Sequence, residues 1–392
     1  MPRRFALADV PTPAAVLDLD VLERNVVRMA NKARRLGVAL RPHAKTHKCV
    51  EVARLQQERG AHGLTVATLA EARAFAAAGF ADLTWAVPVV PGRLGEVVDL
   101  ARRLTFRVLV ESDAAADAVT RAAAEARVPL HVWLEIDTGQ HRTGVDPASD
   151  IAESLARRLA TTSPLVFDGI LTHAGQGYGA KDRAELERAA ATERVVMVLL
   201  AERLRLAGVP VPGVSIGSTP TIAVATDLTG VTEIRPGNYV FNDFVQVAGG
   251  VCAPEDCAFS VLATVISHQP GGDHVVVDAG ALALSKDLGP SDPARRRGYG
   301  PLLRGLTGRE LDPVLSVRSV TQEHGVVGAA EAADRDERPW ETTRSAVDGR
   351  LAVGERIRIL ANHSCLAAAL FDEYHVVRGE EVVDRWRIRR ER

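Results

Sequence analysis

The sequence has few of the features that mark secreted or membrane-spanning proteins. Only four cysteines occur in 392 residues, and no two of them form a Cys-x-x-Cys pair. This usage is typical of a reducing cytoplasm rather than of a disulfide framework. No uncharged apolar run reaches the roughly eighteen residues that a transmembrane helix needs. No long apolar segment follows the basic N-terminus, so we expect no signal peptide.

The chain also lacks a strong excess of charge of either sign. Its formal net charge is -2, which gives no argument for nucleic acid or an anionic membrane surface as a partner. We therefore expect neither among its partners. The length is sufficient for one large domain and a second smaller one.

Short apolar runs alternate with helical patterns between residues 38 and 234. The runs span 38–40, 61–66, 83–87, 106–110, 130–136, 167–171, 213–216 and 231–234. Strands that alternate with helices at this spacing predict an α/β fold with parallel strands, and eight of them predict a closed (β/α)8 TIM-like barrel. A doubly wound open sheet is the alternative, although no Gly-x-Gly-x-x-Gly follows the first run. Asp20 is expected to cap a helix that precedes the barrel.

The pattern changes after about residue 244, where helical spacing fades. Short β-rich runs follow at 258–267, 273–277, 314–321, 355–360, 374–378 and 381–385. They predict a C-terminal, mostly β domain. We expect the barrel to span 20–245 and the β domain to comprise 1–19 and 246–392, with a charged surface loop at 329–343.

A basic segment, Arg-Pro-His-Ala-Lys-Thr-His-Lys, follows the first barrel run at residues 41–48. The cations around Lys45 disfavour its ammonium form, which predicts a depressed pKa. A neutral lysine is a nucleophile that forms a Schiff base with a carbonyl compound. The alternative is a solvated basic turn.

Polar and glycine-rich segments also follow the fifth to eighth runs. They lie at 137–144, 172–178, 217–221 and 235–239. Because barrel enzymes carry their chemistry at the C-terminal ends of the strands, these segments are expected to share one rim. Gly217, Ser218 and Thr219 open a helix after the seventh strand, which is typical of a phosphate site. An ordinary Ser/Thr helix cap is the alternative.

A reactive lysine and a phosphate site on one barrel rim match pyridoxal 5′-phosphate (PLP). Lys45 is expected to hold the aldehyde, and Tyr178, Tyr239 and Arg142 are candidates to contact the ring or its substituents. The residues expected to hold the phosphate are Gly217, Ser218, Thr219, Gly237, Asn238 and Tyr239. The two tyrosines have a simpler interpretation as half-buried core residues.

His363 and Cys365 follow a strand-like run at 357–360. In an extended segment, residues two apart point to the same side, and an imidazole with a thiolate suits zinc. Two ligands are too few for a closed structural site, so an open catalytic site is implied. The alternative is a buried free thiol beside a structural histidine.

Taken together, these motifs resemble those of the metal-activated D-serine dehydratase and D-threonine aldolase family. This family belongs to the fold-type III, alanine racemase-like PLP enzymes, and the resemblance covers nearly the whole chain. It implies that Lys45 carries PLP and that His363 with Cys365 holds a divalent metal, zinc or alternatively manganese or magnesium. It also implies a homodimer and a small D-amino acid substrate. One segment departs from the family: residues 174–177 read Ala-Gly-Gln-Gly where a His-Ser pair is expected before the tyrosine.

The resemblance implies a lyase acting on a D-β-hydroxy-α-amino acid. In the dehydratase hypothesis, Lys45 removes the α-proton and the metal assists departure of the β-hydroxyl, giving a 2-oxo acid and ammonia. In the aldolase hypothesis, His47 or His173 takes the hydroxyl proton, giving glycine and an aldehyde. A racemase with Tyr299 as second base is a third possibility. A non-catalytic PLP-binding protein is a fourth, against which the length of the second domain argues.

Overall fold

A computed structural model describes residues 5–329, 347 and 349–390 of the chain. Two compact units are distinguished. One, the barrel unit, comprises Val27–Gly237 and Arg389–Arg392, and the other, the β unit, comprises Met1–Val26 and Asn238–Ile388. Among the described residues, no helix combines the length and the apolar character needed to cross a bilayer.

The barrel unit is built on eight parallel strands. The chain first forms β1 (Phe5–Ala6) and β2 (Ala14–Asp18), which belong to the other unit. The barrel strands are then β3 (Ala39–Leu40), β4 (Leu64–Val66), β5 (Asp82–Pro88), β6 (Thr105–Val110), β7 (Leu130–Ile136), β8 (Leu165–Thr172), β9 (Gly213–Ile216) and β10 (Glu233–Ile234). Each of the eight predicted runs contains or overlaps one of these strands.

The eight strands close into a ring. Their order is β3-β10-β9-β8-β7-β6-β5-β4, and every pair is parallel. A parallel bridge between His43 and Thr65 joins the two ends of this sheet, and the Thr65 N–H donates to the Pro42 carbonyl at 2.8 Å. The predicted TIM-like barrel is therefore confirmed, and the open doubly wound sheet is wrong.

Helices connect the barrel strands. They are α1 (Leu19–Arg35), which precedes β3, and then α2 (Val50–Glu58), α3 (Leu69–Ala77), α4 (Leu94–Ala101), α5 (Asp113–Ala126), α6 (Asp150–Thr161), α7 (Arg183–Leu206) and α8 (Thr219–Val224). Side-chain oxygens of Thr68, Ser112 and Asp182 cap α3, α5 and α7 by accepting backbone N–H groups. The prediction that Asp20 caps α1 is wrong. The Val21 N–H donates to Asp18 at 3.1 Å, because β2 ends at Asp18 and the helix begins one residue later.

Among the described residues, the β unit contains ten strands. After β1 and β2 they are β11 (Phe259–His268), β12 (His274–Val277), β13 (Pro301–Leu303), β14 (Leu311–Val320), β15 (Gly325–Ala329), β16 (Arg356–Ile359), β17 (Glu373–Arg378) and β18 (Glu381–Arg387). Antiparallel pairing runs β11-β12-β15-β14-β13-β16, and β16 pairs back with β11, which closes a small barrel. The predicted mostly β domain is confirmed.

Besides the two-residue β1, strands β13 and β15 of this unit were not predicted. β13 begins at a proline, and β15 contains Gly325 and Gly328, so neither carries a continuous β-branched run. The loop predicted at 329–343 lies outside the described residues except for Ala329, which ends β15. The described part of the unit also contains the short helices α9 (Phe244–Ala248), α10 (Ala281–Leu284) and α11 (Ser364–Ala368).

Candidate active site

Lys45 lies at the C-terminal end of the first barrel strand. After β3 the chain continues to a 3-10 turn, Ala44–Thr46, whose middle residue is Lys45. The Lys45 backbone N–H donates to Nδ1 of His43 at 3.3 Å, which fixes the start of this turn. The Lys45 side chain is partly buried. The barrel therefore presents this lysine on the rim where its family of folds carries its chemistry.

Two histidines are placed near this lysine and are held neutral. Burial lowers the pKa of His43 well below its usual value, and the charges of Lys45 and Arg235 lower it further. Burial, followed by the charges of Lys45 and Arg235, lowers the pKa of His173 to about 3. At neutral pH each of these imidazoles therefore carries a single proton and presents one ring nitrogen with a lone pair. The rim thus combines an amine with two neutral imidazoles.

The ends of β9 and β10 each carry a glycine that no other residue replaces without strain. Gly217 has a φ of +110°, and an added Cβ would lie 2.8 Å from Cγ1 of Ile222. An added Cβ on Gly237 would lie 2.9 Å from the His43 carbonyl oxygen. The chain after β10 therefore passes directly against the turn that carries Lys45, at a distance that only glycine allows.

Helix α8 begins at this rim with a side-chain cap. The Ser218 Oγ accepts the Thr221 N–H at 3.4 Å, and the Ser218 N–H donates to the Thr221 Oγ1 at 3.1 Å. The helix cap considered as the simpler interpretation is therefore present. A helix N-terminus carries positive partial charge, so the cap is compatible with the predicted phosphate site at Gly217, Ser218 and Thr219.

Two buried charged residues behind the rim were missed by sequence reasoning. Arg235 is 5% exposed, and its guanidinium donates to the Ser215 Oγ at 2.7 Å and to the Thr172 carbonyl. Glu193 is fully buried on α7. Arg235 could have been predicted as a site residue, since it directly follows the eighth barrel strand. The signal for Glu193 was weaker, a single charged residue on the apolar face of a long helix.

Glu193 connects the ends of two barrel strands. Its Oε1 accepts the Gly217 N–H at 2.8 Å. Burial raises its pKa to about 7, although the bonds from Gly217 and from the Thr221 hydroxyl and the charge of Arg235 act in the opposite direction. The carboxyl group therefore holds the glycine of the predicted phosphate site in place from behind.

The other predicted residues of the barrel unit lie at different depths. Tyr178 is half-buried on the 3-10 turn Gly175–Gly179, and Arg142 is exposed after β7 while its charge still lowers the pKa of His173. His47 is fully buried, its Nδ1 accepts the Cys49 N–H at 3.1 Å, and its ring lies edge-on to Phe75. These contacts favour His173 over His47 as the candidate base.

The predicted metal ligands lie in the β unit. His363 is extended, with φ -133° and ψ 102°, but Cys365 belongs to the first turn of α11. The prediction of a fully extended segment is therefore wrong, because the chain turns into a helix directly after His363. The two side chains nevertheless form a hydrogen bond with each other.

A carboxylate orients the histidine of this pair. The His363 Nδ1 is 3.4 Å from Oδ2 of Asp287. Burial acts to lower the pKa of His363, but the Cys365 charge and the bonds to Asp287 and Cys365 raise it to about 11. Because Nδ1 contacts Asp287, Nε2 is the candidate ligand atom, an arrangement common to metal-binding histidines, and a metal ion would displace the proton that Nε2 carries at neutral pH.

The donor set of this pair fits a divalent metal. An imidazole and a thiolate are the ligands that zinc prefers. Within the described ranges, no group of three or more His, Cys, Asp or Glu side chains is arranged to hold a metal ion. Two protein ligands leave positions open for water or substrate.

Asn238 and Tyr239 follow Gly237 and belong to the β unit. Asn238 Nδ2 donates to Oδ2 of Asp243 at 2.7 Å and to the Ser364 Oγ at 2.9 Å. Tyr239 is 4% exposed. The cofactor contacts expected of these two residues stay a prediction, and the amide of Asn238 is used beside the metal pair.

Two family models match the sequence. "Alanine racemase, N-terminal domain" matches residues 17–243, and "Putative serine dehydratase domain" matches residues 258–377. The chain belongs to the alanine racemase-like family with a serine dehydratase domain. The suspected family is thereby confirmed, and the two matches follow each other along the chain as barrel and β domain do.

Several relatives of this alanine racemase-like chain match it over almost its whole length. The D-threo-3-hydroxyaspartate dehydratase of Delftia sp. (strain HT23) is 42% identical over 382 residues, 97% of either chain. Its solved structure has a TM-score of 0.88 and covers 98% of both chains. The D-serine dehydratase of Dictyostelium discoideum is 30% identical, over 95% of this chain and 94% of that one. The D-threonine aldolase of Arthrobacter sp. is 32% identical, over 97% and 93%.

Two solved structures similar to this family member are variants of D-threo-3-hydroxyaspartate dehydratase. One replaces a histidine by alanine, and the other replaces a cysteine two positions later and is in a metal-free form. His363 and Cys365 are separated by the same spacing.

The buried Glu193 predicts a measurable pH dependence of stability. Its pKa is 4.5 when unperturbed and about 7 in the fold, so the folded chain holds this proton more tightly than the unfolded chain does. The proton on Glu193 should therefore contribute about 3 kcal/mol less to the free energy of unfolding at pH 7 than at pH 4.5, since one pKa unit is about 1.4 kcal/mol. The lowered pKa values of His43 and His173 act in the opposite direction, so each variant is compared with wild type at the same pH. In urea unfolding, the stability of Glu193→Gln relative to wild type should rise by about this amount between pH 5 and pH 8. The exposed Glu202→Gln on the same helix should show no such rise, and its absence in Glu193→Gln would contradict the assignment.

Proposed function

We propose that this chain is a PLP- and divalent-metal-dependent lyase that eliminates the β-hydroxyl of a D-β-hydroxy-α-amino acid. The products would be a 2-oxo acid and ammonia. The observation that carries the proposal is the His-x-Cys pair at 363 and 365 in a chain that is 42% identical to a dehydratase over 97% of its length. The rim residues around Lys45 supply the amine and the proton acceptors that such an elimination requires.

The barrel unit contains groups suited to hold PLP. Lys45 is the amine proposed to bind the aldehyde, and Gly217, Ser218 and Thr219 are proposed to bind the phosphate with Gly237. The cations Lys45 and Arg235 both act on the half-buried His43 and His173, so this rim is suited to an anionic ligand. When bound, the cofactor supplies an electron sink for charge that develops at the substrate Cα.

The β unit contains groups suited to hold the metal. His363 and Cys365 are proposed as its protein ligands, with Asp287 holding the imidazole in the orientation that its 3.4 Å contact indicates. A divalent ion there would supply Lewis acidity toward a hydroxyl group. The elimination needs this help because hydroxide is a poor leaving group.

The residues of the chain account for the proton transfers. Lys45 is proposed to accept the proton of Cα, and the neutral His173 is the second acceptor on the rim. In the net reaction the Cα–H and Cβ–O bonds break, a Cα–Cβ double bond forms, and one water leaves. The released enamine becomes an imine, which one water hydrolyses to the 2-oxo acid and ammonia.

Retro-aldol cleavage is the second candidate function. The neutral His173 could accept the proton of the β-hydroxyl, in which case the Cα–Cβ bond would break and glycine and an aldehyde would form. The 32% identity to a D-threonine aldolase over 97% of this chain supports this alternative. The two reactions share a substrate class and differ in the bond that breaks.

The proposal extends to zinc as the metal, with manganese and magnesium as alternatives, because a thiolate favours zinc over harder cations. It extends to a cytoplasmic location, which the four free cysteines support. It also includes a homodimer, as the family resemblance implies. Metal analysis and light scattering of the purified protein address the metal and the dimer.

The products distinguish the two reactions in a single assay. The protein is incubated separately with D-serine, D-threonine and D-threo-3-hydroxyaspartate, and ammonia and glycine are measured in each mixture. We expect ammonia and a 2-oxo acid in equal amounts and no glycine. Glycine with an aldehyde in place of ammonia would establish the aldolase instead.

Loss of the Lys45 amine should remove the bound cofactor's visible absorbance. Lys45→Ala should lose the band at about 420 nm that protein-bound PLP shows, and activity should fall by at least about 10³-fold because a covalent catalyst is removed. Lys181→Ala, at an exposed position just before α7, serves as control and should keep both. A Lys45→Ala protein that stays yellow at wild-type intensity would contradict the assignment.

Loss of the Cys365 thiol should weaken metal binding and activity together. Cys365→Ala should contain less metal after dialysis and regain activity when excess metal is added, since one of two protein ligands is gone. Cys252→Ala is the control, since this cysteine packs against an apolar cluster that contains Cys257. Treatment with EDTA should abolish wild-type activity, and full activity after complete metal removal would disprove the metal's role.

A further inference from the structure

We infer that Asp243 is a positioning residue that holds the His363–Cys365 pair in its metal-binding arrangement. The inference rests on the proposed metal role of that pair. Asp243 is 1% exposed and caps α9, where its Oδ1 accepts the Gln246 N–H at 3.1 Å. Helix capping uses only one of its two carboxylate oxygens.

The second oxygen of Asp243 binds the residue between the two proposed ligands. Oδ2 accepts the Ser364 N–H at 2.9 Å and the Ser364 hydroxyl at 3.2 Å. It also accepts Nδ2 of Asn238 at 2.7 Å, and the same Nδ2 donates to the Ser364 Oγ and lies 3.6 Å from the Cys365 Sγ. A carboxylate oxygen that accepts several hydrogen bonds at once restricts the positions of the residues that donate them. Here those residues are Ser364 and Asn238.

The backbone beside Asp243 holds the residues that precede the pair. The Phe244 N–H donates to the Ala361 carbonyl at 3.1 Å, and the Val245 N–H donates to the Asn362 carbonyl at 3.2 Å. N–H groups in the first turn of a helix have no partner within that helix. Here two of them bind the strand-to-helix connection, so α9 and its cap hold residues 361, 362 and 364 together.

Anchors and ligands alternate along this connection. Asn362 and Ser364 are fully buried, and Asn362 Nδ2 donates to the carbonyls of Asp287 and Gly298, both at 2.8 Å. His363 lies between these two residues and Cys365 follows Ser364, and both ligand candidates are partly exposed. The buried anchors thus fix the backbone from which both ligands project, and this reduces the ordering that metal binding would otherwise require.

The test measures zinc affinity of the full-length protein by competition with a chromophoric chelator. Asp243→Asn should bind zinc about 10- to 100-fold more weakly, the usual loss for groups that orient metal ligands. Asp312→Asn is the matched control in the same unit. Asp312 is also buried, it accepts the N–H groups of Val314 and Leu315, both at 2.8 Å, and it forms an ion pair with Arg350. This control should bind zinc within twofold of wild type.

A second variant separates the cap from the positioning role. Asp243→Ser retains an oxygen that can cap α9 and removes the second oxygen that binds Ser364. It should keep most of the stability and still lose zinc affinity. The cobalt form should show the same result, with a weaker thiolate-to-cobalt absorption band in both Asp243 variants than in wild type.

Three outcomes would overturn the inference. Asp243→Ser could bind zinc at wild-type strength, or Asp312→Asn could lose as much affinity as Asp243→Asn, which would indicate general destabilisation. Undiminished zinc binding in both His363→Ala and Cys365→Ala would instead show that the proposed function has placed the metal wrongly. These variants therefore distinguish a failure of the positioning role from a failure of the metal assignment.

Discussion

Closure of the eight parallel strands is the constraint on which the barrel unit's chemistry depends. Parallel strands all end on one side, so closing the ring gathers the segments after β3, β8, β9 and β10 on a single rim. The bridge between His43 and Thr65 makes this closure directly beside the lysine. Lys45, His173 and Gly217, which are far apart in the sequence, are thereby brought into one electrostatic environment.

Burial then determines which groups on this rim carry charge. Desolvation and the neighbouring cations keep His43 and His173 neutral, so two uncharged imidazoles persist beside cations. Glu193 has the opposite shift, because burial favours its protonated form. With a pKa of about 7, the Glu193 carboxyl group holds Gly217 from behind and carries no full negative charge below neutral pH, next to the segment predicted to bind phosphate.

The barrel was predictable because short apolar runs alternate with helical patterns of apolar residues along the sequence, and this alternation is visible without tertiary contacts. The rim residues followed from it, since each strand end could be read from the chain.

Errors arose where the decisive contact is tertiary. Asp18 and Asp20 are equally good caps in sequence, and only the end of β2 selects Asp18. Cys365 was placed in an extended segment because nothing local shows that Asp243 receives the Ser364 N–H and starts a helix there. Glu193 accepts the N–H of Gly217, 24 positions away in the sequence, and no sequence motif predicts a contact at that spacing.

The most direct measurement of the central claim is to locate the cofactor's covalent bond. The purified protein would be loaded with PLP, reduced with borohydride, digested, and its peptides sequenced by mass spectrometry. The account predicts one pyridoxyl group per chain, on Lys45. A pyridoxyl group on any other lysine, or no stable attachment to the chain, would contradict it.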